Sequence, residues 1–256
     1  HRLRPKGCER MASFAVILAA AGQSRRFNDQ HYKKPFIPLA NKSVWLYSAE
    51  RFLNRDDVKQ LIIVISPEDR EEFHSKFGAN VAILGVEVVD GGKERHESIR
   101  AGLAQVRDDV DFVAVHDAAR PCLADEWIDE VFSAAEKSGA AILASPVTST
   151  LKKSADGQTI DGTTSREGLW AAQTPQVFRR QALQDAYSKL SSEKPTDDAQ
   201  VMELAGHTVT LVPCSEINMK ITSRGDLRIA EQMLKALPKP KLQGPGNPFA
   251  DGDMWR

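Results

Sequence analysis

The run FAVILAA at 14–20 is apolar at every position, the mark of a strand buried on both faces. Similar short runs recur along the chain: LIIVIS at 61–66, VEVV at 86–89, FVAVH at 112–116 and AAILAS at 140–145. Between them the apolar residues fall at helical spacing. One such segment spans 43–54, with Val44, Leu46, Tyr47 and Phe52 as core candidates. Another follows Pro67, which suits a first helical turn. A third runs through Ser98 to about Val106, and a fourth covers 125–138. Strands alternating with helices predict a parallel or mostly parallel sheet with helices on both faces. In such sheets ligands bind outside the carboxyl ends of the strands.

The pattern breaks at 146–168, a polar stretch rich in Thr, Ser, Gly and Lys. Asp156-Gly157 within it is a hairpin-turn signal between TSTLKKS and QTIDGT, so the stretch reads as a projecting β-arm. Alternation resumes with a strand near 170–178 and a helix at 179–190. Thr196 reads as an N-cap, with Asp197 and Asp198 in the first turn. VTLVP at 209–213 and a helix at 226–237 complete the domain. Residues 1–10 read as a flexible extension or trimmed tag and 239–256 as a flexible Pro/Gly tail, leaving 11–238 as the folded unit.

Composition narrows the classes. With 256 residues, 41% hydrophobic and 27% charged, the chain is neither disordered nor collagenous. Lys plus Arg (34) nearly balance Asp plus Glu (35), so no global charge draws it to nucleic acid or an anionic membrane. Residues 1–10 hold four Lys/Arg against one Glu, which leaves the body acidic and any cationic site local. No window has the length of apolar sequence needed to span a bilayer, and residues 1–10 lack the apolar run of a signal peptide. Three scattered cysteines make neither a disulfide framework nor a zinc cluster and suit a reducing cytoplasm.

Candidate chemistry gathers at predicted strand ends. The first strand enters Ala19-Ala20-Ala21-Gly22-Gln23-Ser24-Arg25-Arg26, with Lys33-Lys34 beyond. Small residues let backbone N–H groups approach phosphate oxygens, and the cations neutralise them. The loop is neither GxGxxG nor Walker A; a phosphate-binding loop is the favoured reading and a tight turn with solvated cations the alternative. The fourth strand ends in His116-Asp117-Ala118-Ala119-Arg120-Pro121. Asp117 there can hold a ribose hydroxyl or approach a metal, and Arg120 can share its crevice; a surface ion pair is the alternative. His116 reads as a packed strand-end residue, since no second His stands at metal-ligand spacing. Lys220, between Met219 and Ile221, would point opposite to them in a strand, into the crevice or to solvent. No Gly-x-Ser-x-Gly elbow is present, and nothing marks Cys122 as a nucleophile. The four tryptophans read as packing residues.

In order, Ala-Ala-Gly-x-x-x-Arg, Lys34, Asp90-Gly91-Gly92, HDAARP at 116–121, Thr174-Pro175-Gln176, Thr196-Asp197-Asp198 and Asn218-x-Lys220-Ile221-Thr222 resemble the 2-C-methyl-D-erythritol 4-phosphate cytidylyltransferases across roughly 14–237. The resemblance implies a Rossmann-like three-layer α/β/α sandwich of the nucleotide-diphospho-sugar transferase type, with a mostly parallel sheet and a β-arm that builds a homodimer. It implies cytidylyl transfer from CTP to 2-C-methylerythritol 4-phosphate in non-mevalonate isoprenoid synthesis, with Mg²⁺ carried mainly by the CTP phosphates. Carried over residue by residue, it places CTP against Ala20, Ala21, Gly22, Gly92, Ser98, Asp117 and Ala118. Arg26, Lys34, Arg166 and Lys220 become the catalytic cations. Arg120, Thr150, Arg166, Thr174 and Lys220 take the acceptor, with Arg166 reaching across the dimer.

The chain departs from the family pattern in places. Ser24 stands where many members carry Gly, and Lys93 replaces an acidic residue found in some. Lys33-Lys34-Pro35-Phe36 replaces the usual Pro-Lys-Gln, and either lysine could be the catalytic one, with spacing favouring Lys34. Three other functions share features with this reading: a ribitol-5-phosphate cytidylyltransferase, a sugar-1-phosphate nucleotidyltransferase and a catalytically silent nucleotide-binding regulator. The arm and Asn218-x-Lys220 argue against the second, and the five cations Arg26, Lys34, Arg120, Arg166 and Lys220 argue against the third.

Overall fold

Phe14–Ala19 forms β1, and alternation along it serves two cores at once. Phe14, Val16 and Leu18 join Trp45, Phe52, Phe73 and Phe132 on one face of the sheet, while Ala15 and Ile17 join Ile99, Leu103, Leu183 and Met202 on the other. That double burial explains the unbroken apolar run. The computed structural model describes residues 11–22, 34–191 and 193–237. The expected extension at 1–10, the tail at 239–256, and Ser24, Arg26 and Lys33 lie outside the described residues.

After β1 come a small ladder of β2 (Pro38–Leu39) and β3 (Lys42–Ser43), then α1 (Val44–Leu53), β4 (Val58–Ile65), α2 (Arg70–Leu84), β5 (Glu87–Asp90) and α3 (Arg95–Leu103). Next are β6 (Phe112–Asp117), α4 (Asp125–Ser138), β7 (Ala140–Pro146), β8 (Leu151–Lys153), β9 (Gly162–Thr164) and β10 (Trp170–Arg179). The last elements are α5 (Arg180–Lys189), α6 (Asp198–Leu204), β11 (Thr210–Pro213) and α7 (Arg224–Ala236). Among the described residues, seven strands make one sheet in the order β11-β7-β10-β6-β1-β4-β5. All neighbours are parallel except β10, which runs antiparallel between β6 and β7. The chain is a Rossmann-like three-layer α/β/α sandwich, and its order of connection reverses beside β1, where such sheets bind ligands.

Several local expectations change. The arm exists as the antiparallel pair β8 and β9, with Leu151 opposite Thr164 and Lys153 opposite Gly162. Its strands are shorter than the sequence predicts, and residues 154–161 form a broad loop instead of a two-residue turn. The Asp156 carboxylate accepts from the Gln158 and Thr159 amides, so it stabilises the loop as a local turn of its own. Asp197, not Thr196, caps α6, because its carboxylate accepts from the Gln200 amide. Residues 219–222 are loop, not strand, with Ile221 fully buried and Lys220 exposed. Tyr47 is only half-buried, with its hydroxyl donating to Asn41. No helix among the described residues is long and apolar enough to cross a membrane.

Candidate active site

The register Ala19–Asp117 and Ala19–Val64 brings the carboxyl ends of β1, β6 and β4 level. The Ala20 amide donates to the Val64 carbonyl at 2.8 Å, so any backbone donors this turn offers a phosphate begin beyond Ala20. Ala21 is half-buried and Gly22 exposed. On β4's other side the Gly91 amide donates to the Ile65 carbonyl at 2.7 Å, and the Gly92 amide donates to Ser98 Oγ at 3.1 Å. A Cβ on Gly91 would stand 2.7 Å from Ser98 Oγ and 2.8 Å from Ala21 Cβ. The hydroxyl can rotate away; the Ala21 methyl cannot. Gly91 therefore lets two loops touch, and both carry residues expected around the nucleotide. Gly91→Ala is expected to cost about 1–3 kcal/mol by overpacking and to raise the KM for CTP. An unchanged melting temperature together with an unchanged KM would refute this contact.

Asp117 lies at the centre. Its Oδ2 is 2.9 Å from Lys220 Nζ and 3.4 Å from Arg120 Nε, and its Oδ1 is 3.9 Å from Arg95 Nη2. Burial alone would raise its pKa, but the charges of Lys220, Arg95 and Arg120 outweigh that and hold the carboxyl well below the usual carboxylate range. Arg95 also binds the fully buried Asp198 at 2.7 Å, whose other oxygen accepts from Tyr187 Oη at 2.6 Å. Burial opposes the Arg95 charge, and the two carboxylates more than restore it. Three cations thus face two carboxylates, a local excess of positive charge inside an acidic body.

The rest of the site hangs on Asn218. Its side-chain amide donates to Gln173 Oε1 and to the Thr174 carbonyl, both at 2.9 Å. Its own carbonyl accepts from Arg120 Nη1 at 2.7 Å. The Ile221 amide donates to the Ala119 carbonyl, so both ends of the Lys220 loop are tied to the Asp117–Arg120 turn. Thr174 is buried, and its hydroxyl bonds to the Asp117 amide and the His116 ring. Ala118 is fully buried with its amide on the Ala19 carbonyl.

Other expected residues lie on other elements. Lys34 opens a short 3-10 helix, Lys34–Phe36. Thr150 and Arg166 lie exposed on the arm, and among the described residues no hydrogen bond or ion pair joins them to Asp117, Arg120 or Lys220. Burial pushes the Cys122 thiol up to about 12 and the Cys214 thiol up to about 11, far from thiolate chemistry. The residue that the sequence reading missed is Arg95. A cation in the first turn of a helix opposes the helix dipole, and that local conflict was the available sign that a carboxylate from elsewhere meets it.

No group of three or more His, Cys, Asp or Glu side chains that could hold a metal occurs among the described residues. Asp117 is already committed to cations. A divalent ion would fit here as the counter-ion of a bound polyphosphate, held by phosphate and water.

Comparison with known proteins bears on this geometry. The family model described as IspD, 2-C-methyl-D-erythritol 4-phosphate cytidylyltransferase, matches residues 14–236. The protein of that name from Rhodopirellula baltica is 39% identical over 236 residues, covering 87% of this chain and 95% of the relative. The one from Endomicrobium trichonymphae is 40% identical over 224 residues, covering 87% and 99%. The crystal structure of the Francisella tularensis 2-C-methyl-D-erythritol 4-phosphate cytidylyltransferase superposes with a TM-score of 0.72 at 28% identity, covering 87% of this chain and 100% of that one. With the family model spanning nearly the whole described domain and relatives of that name matching at 39–40% identity, the chain belongs to the 2-C-methyl-D-erythritol 4-phosphate cytidylyltransferase family.

Proposed function

We infer that this chain transfers the cytidylyl group of CTP to 2-C-methyl-D-erythritol 4-phosphate, as the names of its relatives state for them. The observation that carries this at the site is the Lys220–Asp117–Arg120–Arg95 cluster beside the Ala20–Gly22 and Gly91–Ser98 loops. An acceptor phosphate oxygen attacks the α-phosphorus of CTP; the bond from that phosphorus to the bridging oxygen breaks, and diphosphate leaves. The nucleophile is already ionised near neutral pH, so no general base is needed. Two anions must approach each other, and catalysis is then positioning and charge neutralisation.

In this reading Ala20–Gly22, Gly92, Ser98, Asp117 and Ala118 surround the nucleotide. Lys34 and Arg26 neutralise the triphosphate, and Lys220 and Arg120 hold the acceptor phosphate. Magnesium is our choice of divalent ion; carried by the CTP phosphates, it would supply neutralisation of the triphosphate charge beside Lys34 and Arg26. The arm pairs two copies of the chain, so that Thr150 and Arg166 serve the neighbouring protomer's acceptor. Their exposure, with Ile160 exposed on the same arm and Leu169 and Trp170 exposed at its base, supports that reading. Free, buried or half-buried cysteines are compatible with a reducing cytoplasm.

A diphosphate-release assay with CTP tests the acceptor directly. Turnover with 2-C-methylerythritol 4-phosphate and none with ribitol 5-phosphate is expected. The reverse preference would transfer the chain to the ribitol enzymes, and CTP binding without turnover on either acceptor would make it a regulator.

A further inference from the structure

His116 has no place in the chemistry above, yet it sits between two of its parts. The ring is fully buried at the end of β6 and packs edge-on against Phe52, with 5.4 Å between centroids. Its Nε2 is 3.1 Å from the Arg120 carbonyl oxygen, and its Nδ1 is 3.0 Å from Thr174 Oγ1. Thr174 Oγ1 in turn accepts from the Asp117 amide at 3.0 Å.

The direction of every bond in this chain follows from what each atom can do. A carbonyl oxygen only accepts, so Nε2 must carry a proton. A buried ring with no carboxylate partner stays neutral, which leaves Nδ1 bare. The Thr174 hydroxyl therefore donates to Nδ1 and uses its oxygen for the Asp117 amide. Burial also depresses the ring's pKa, to about 4, in keeping with this tautomer. The chain begins at the amide of Asp117 and ends at the carbonyl of Arg120. These are the two ends of one tight turn, closed on its other side by the Arg120 amide on the Asp117 carbonyl at 2.9 Å.

We propose that His116 is a positioning residue for cytidylyl transfer, a neutral imidazole staple that, with Thr174, holds the Asp117–Arg120 turn and so aims the Asp117 and Arg120 side chains at Lys220 and the reactants. The assignment rests on the functional reading above. It gives Thr174 a share in catalysis through the turn, whether or not it touches the acceptor.

The test combines kinetics with a measurement that needs no activity. His116→Phe keeps ring shape and removes both hydrogen bonds. It is expected to lower kcat of the folded enzyme by on the order of 10- to 10²-fold, the scale of a small misplacement of catalytic groups. The KM for CTP should rise less than kcat falls, since the Ala20–Gly22 and Gly91–Ser98 loops are untouched and only Asp117 and Ala118 of the nucleotide's surroundings sit on the displaced turn. Thr174→Val should show a loss of the same kind and Thr174→Ser should restore most of it. The pair His116→Phe/Thr174→Val should lose little more than the worse single change, because both break one chain. His116→Gln, which keeps a donor for the Arg120 carbonyl, should fall between wild type and His116→Phe, and it serves if the Phe variant does not fold. Long-range ¹H–¹⁵N spectra of the wild-type ring should show Nε2 protonated and Nδ1 bare. A merely structural ring would lower the melting temperature and leave kcat of the folded enzyme at the wild-type value, and that result overturns the proposal. Fully additive losses in the double variant, or a ring protonated at Nδ1, do so equally. Absence of wild-type turnover defeats the functional reading alone, and the spectra still decide the staple.

Discussion

Lys220→Ala is expected to reduce kcat on the order of 10²-fold or more while leaving the fold intact, by analogy with removing a donor aimed at developing charge. The two halves of this expectation have separate causes. The lysine is 43% exposed and makes an ion pair only 10% exposed on the Asp117 side, so it neutralises a crevice charge without being part of the core. Its loop is held by its neighbours: Ile221 is fully buried, and the Asn218 and Ile221 backbones are bonded to Arg120 and Ala119. Removing the side chain leaves those bonds standing, and stability should move by no more than about 0.5–1 kcal/mol. On the proposed mechanism, what is lost is a cation at the point where two phosphates must meet. Lys220→Arg keeps the charge but changes the compact ammonium to a planar fork, and an intermediate rate is expected. Steady-state diphosphate release with melting curves on the same preparations checks both halves. Wild-type turnover in Lys220→Ala would remove the lysine from the mechanism.

Arg95→Met should produce the largest loss of stability, about 3–5 kcal/mol, the usual consequence of leaving one partner of a buried ion pair behind. Asp198 is fully buried, and Arg95 is its counter-charge at 2.7 Å. Tyr187 donates a hydrogen bond to the same carboxylate but brings no charge, and burial together with Asp198 raises the Tyr187 pKa further from neutrality. For a domain of this size the loss corresponds to roughly 6–20 °C in melting temperature. Arg95→Met/Asp198→Asn should recover most of it, because the uncompensated charge is then gone while the amide still accepts from Tyr187. Additive losses in the double variant would show that the pair is not the source. The same change removes one of three cations from Asp117, so the surviving folded fraction should also turn over more slowly.

Much of the scaffold was legible from local pattern. The buried strands β1, β4, β6 and β7 and the helix α4 were readable because an unbroken apolar run or a 3.6-residue period states its own burial. The arm was readable as a polar interruption. Its turn was not, because Asp156 satisfies the Gln158 and Thr159 amides itself and so competes with a two-residue hairpin. The cap of α6 was displaced by one residue for a similar reason: Thr196 and Asp197 are both capable caps, and the one whose side chain meets the Gln200 amide is chosen by backbone geometry. Lys220 reads as a strand residue in the sequence, but it lies in a loop whose shape depends on Arg120 and Asn218.

Local chemistry settled which segments are buried, which strand ends carry glycines and charges, and through ordered motifs which family the chain belongs to. Tertiary structure alone decided which charges meet. The first-turn position of Arg95 signals that some carboxylate meets it but not that it is Asp198, and nothing beside His116 announces Thr174; these partners are separated by 103 and 58 residues. The cause is the antiparallel entry of β10 next to β6, which carries Thr174 to the end of β6, and the meeting of the first turns of α6 and α3. Periodicity reports how much of a residue is buried, because burial depends on one face of one element. Pairing depends on the order of strands in the sheet, and that order is set by the packing of the whole chain.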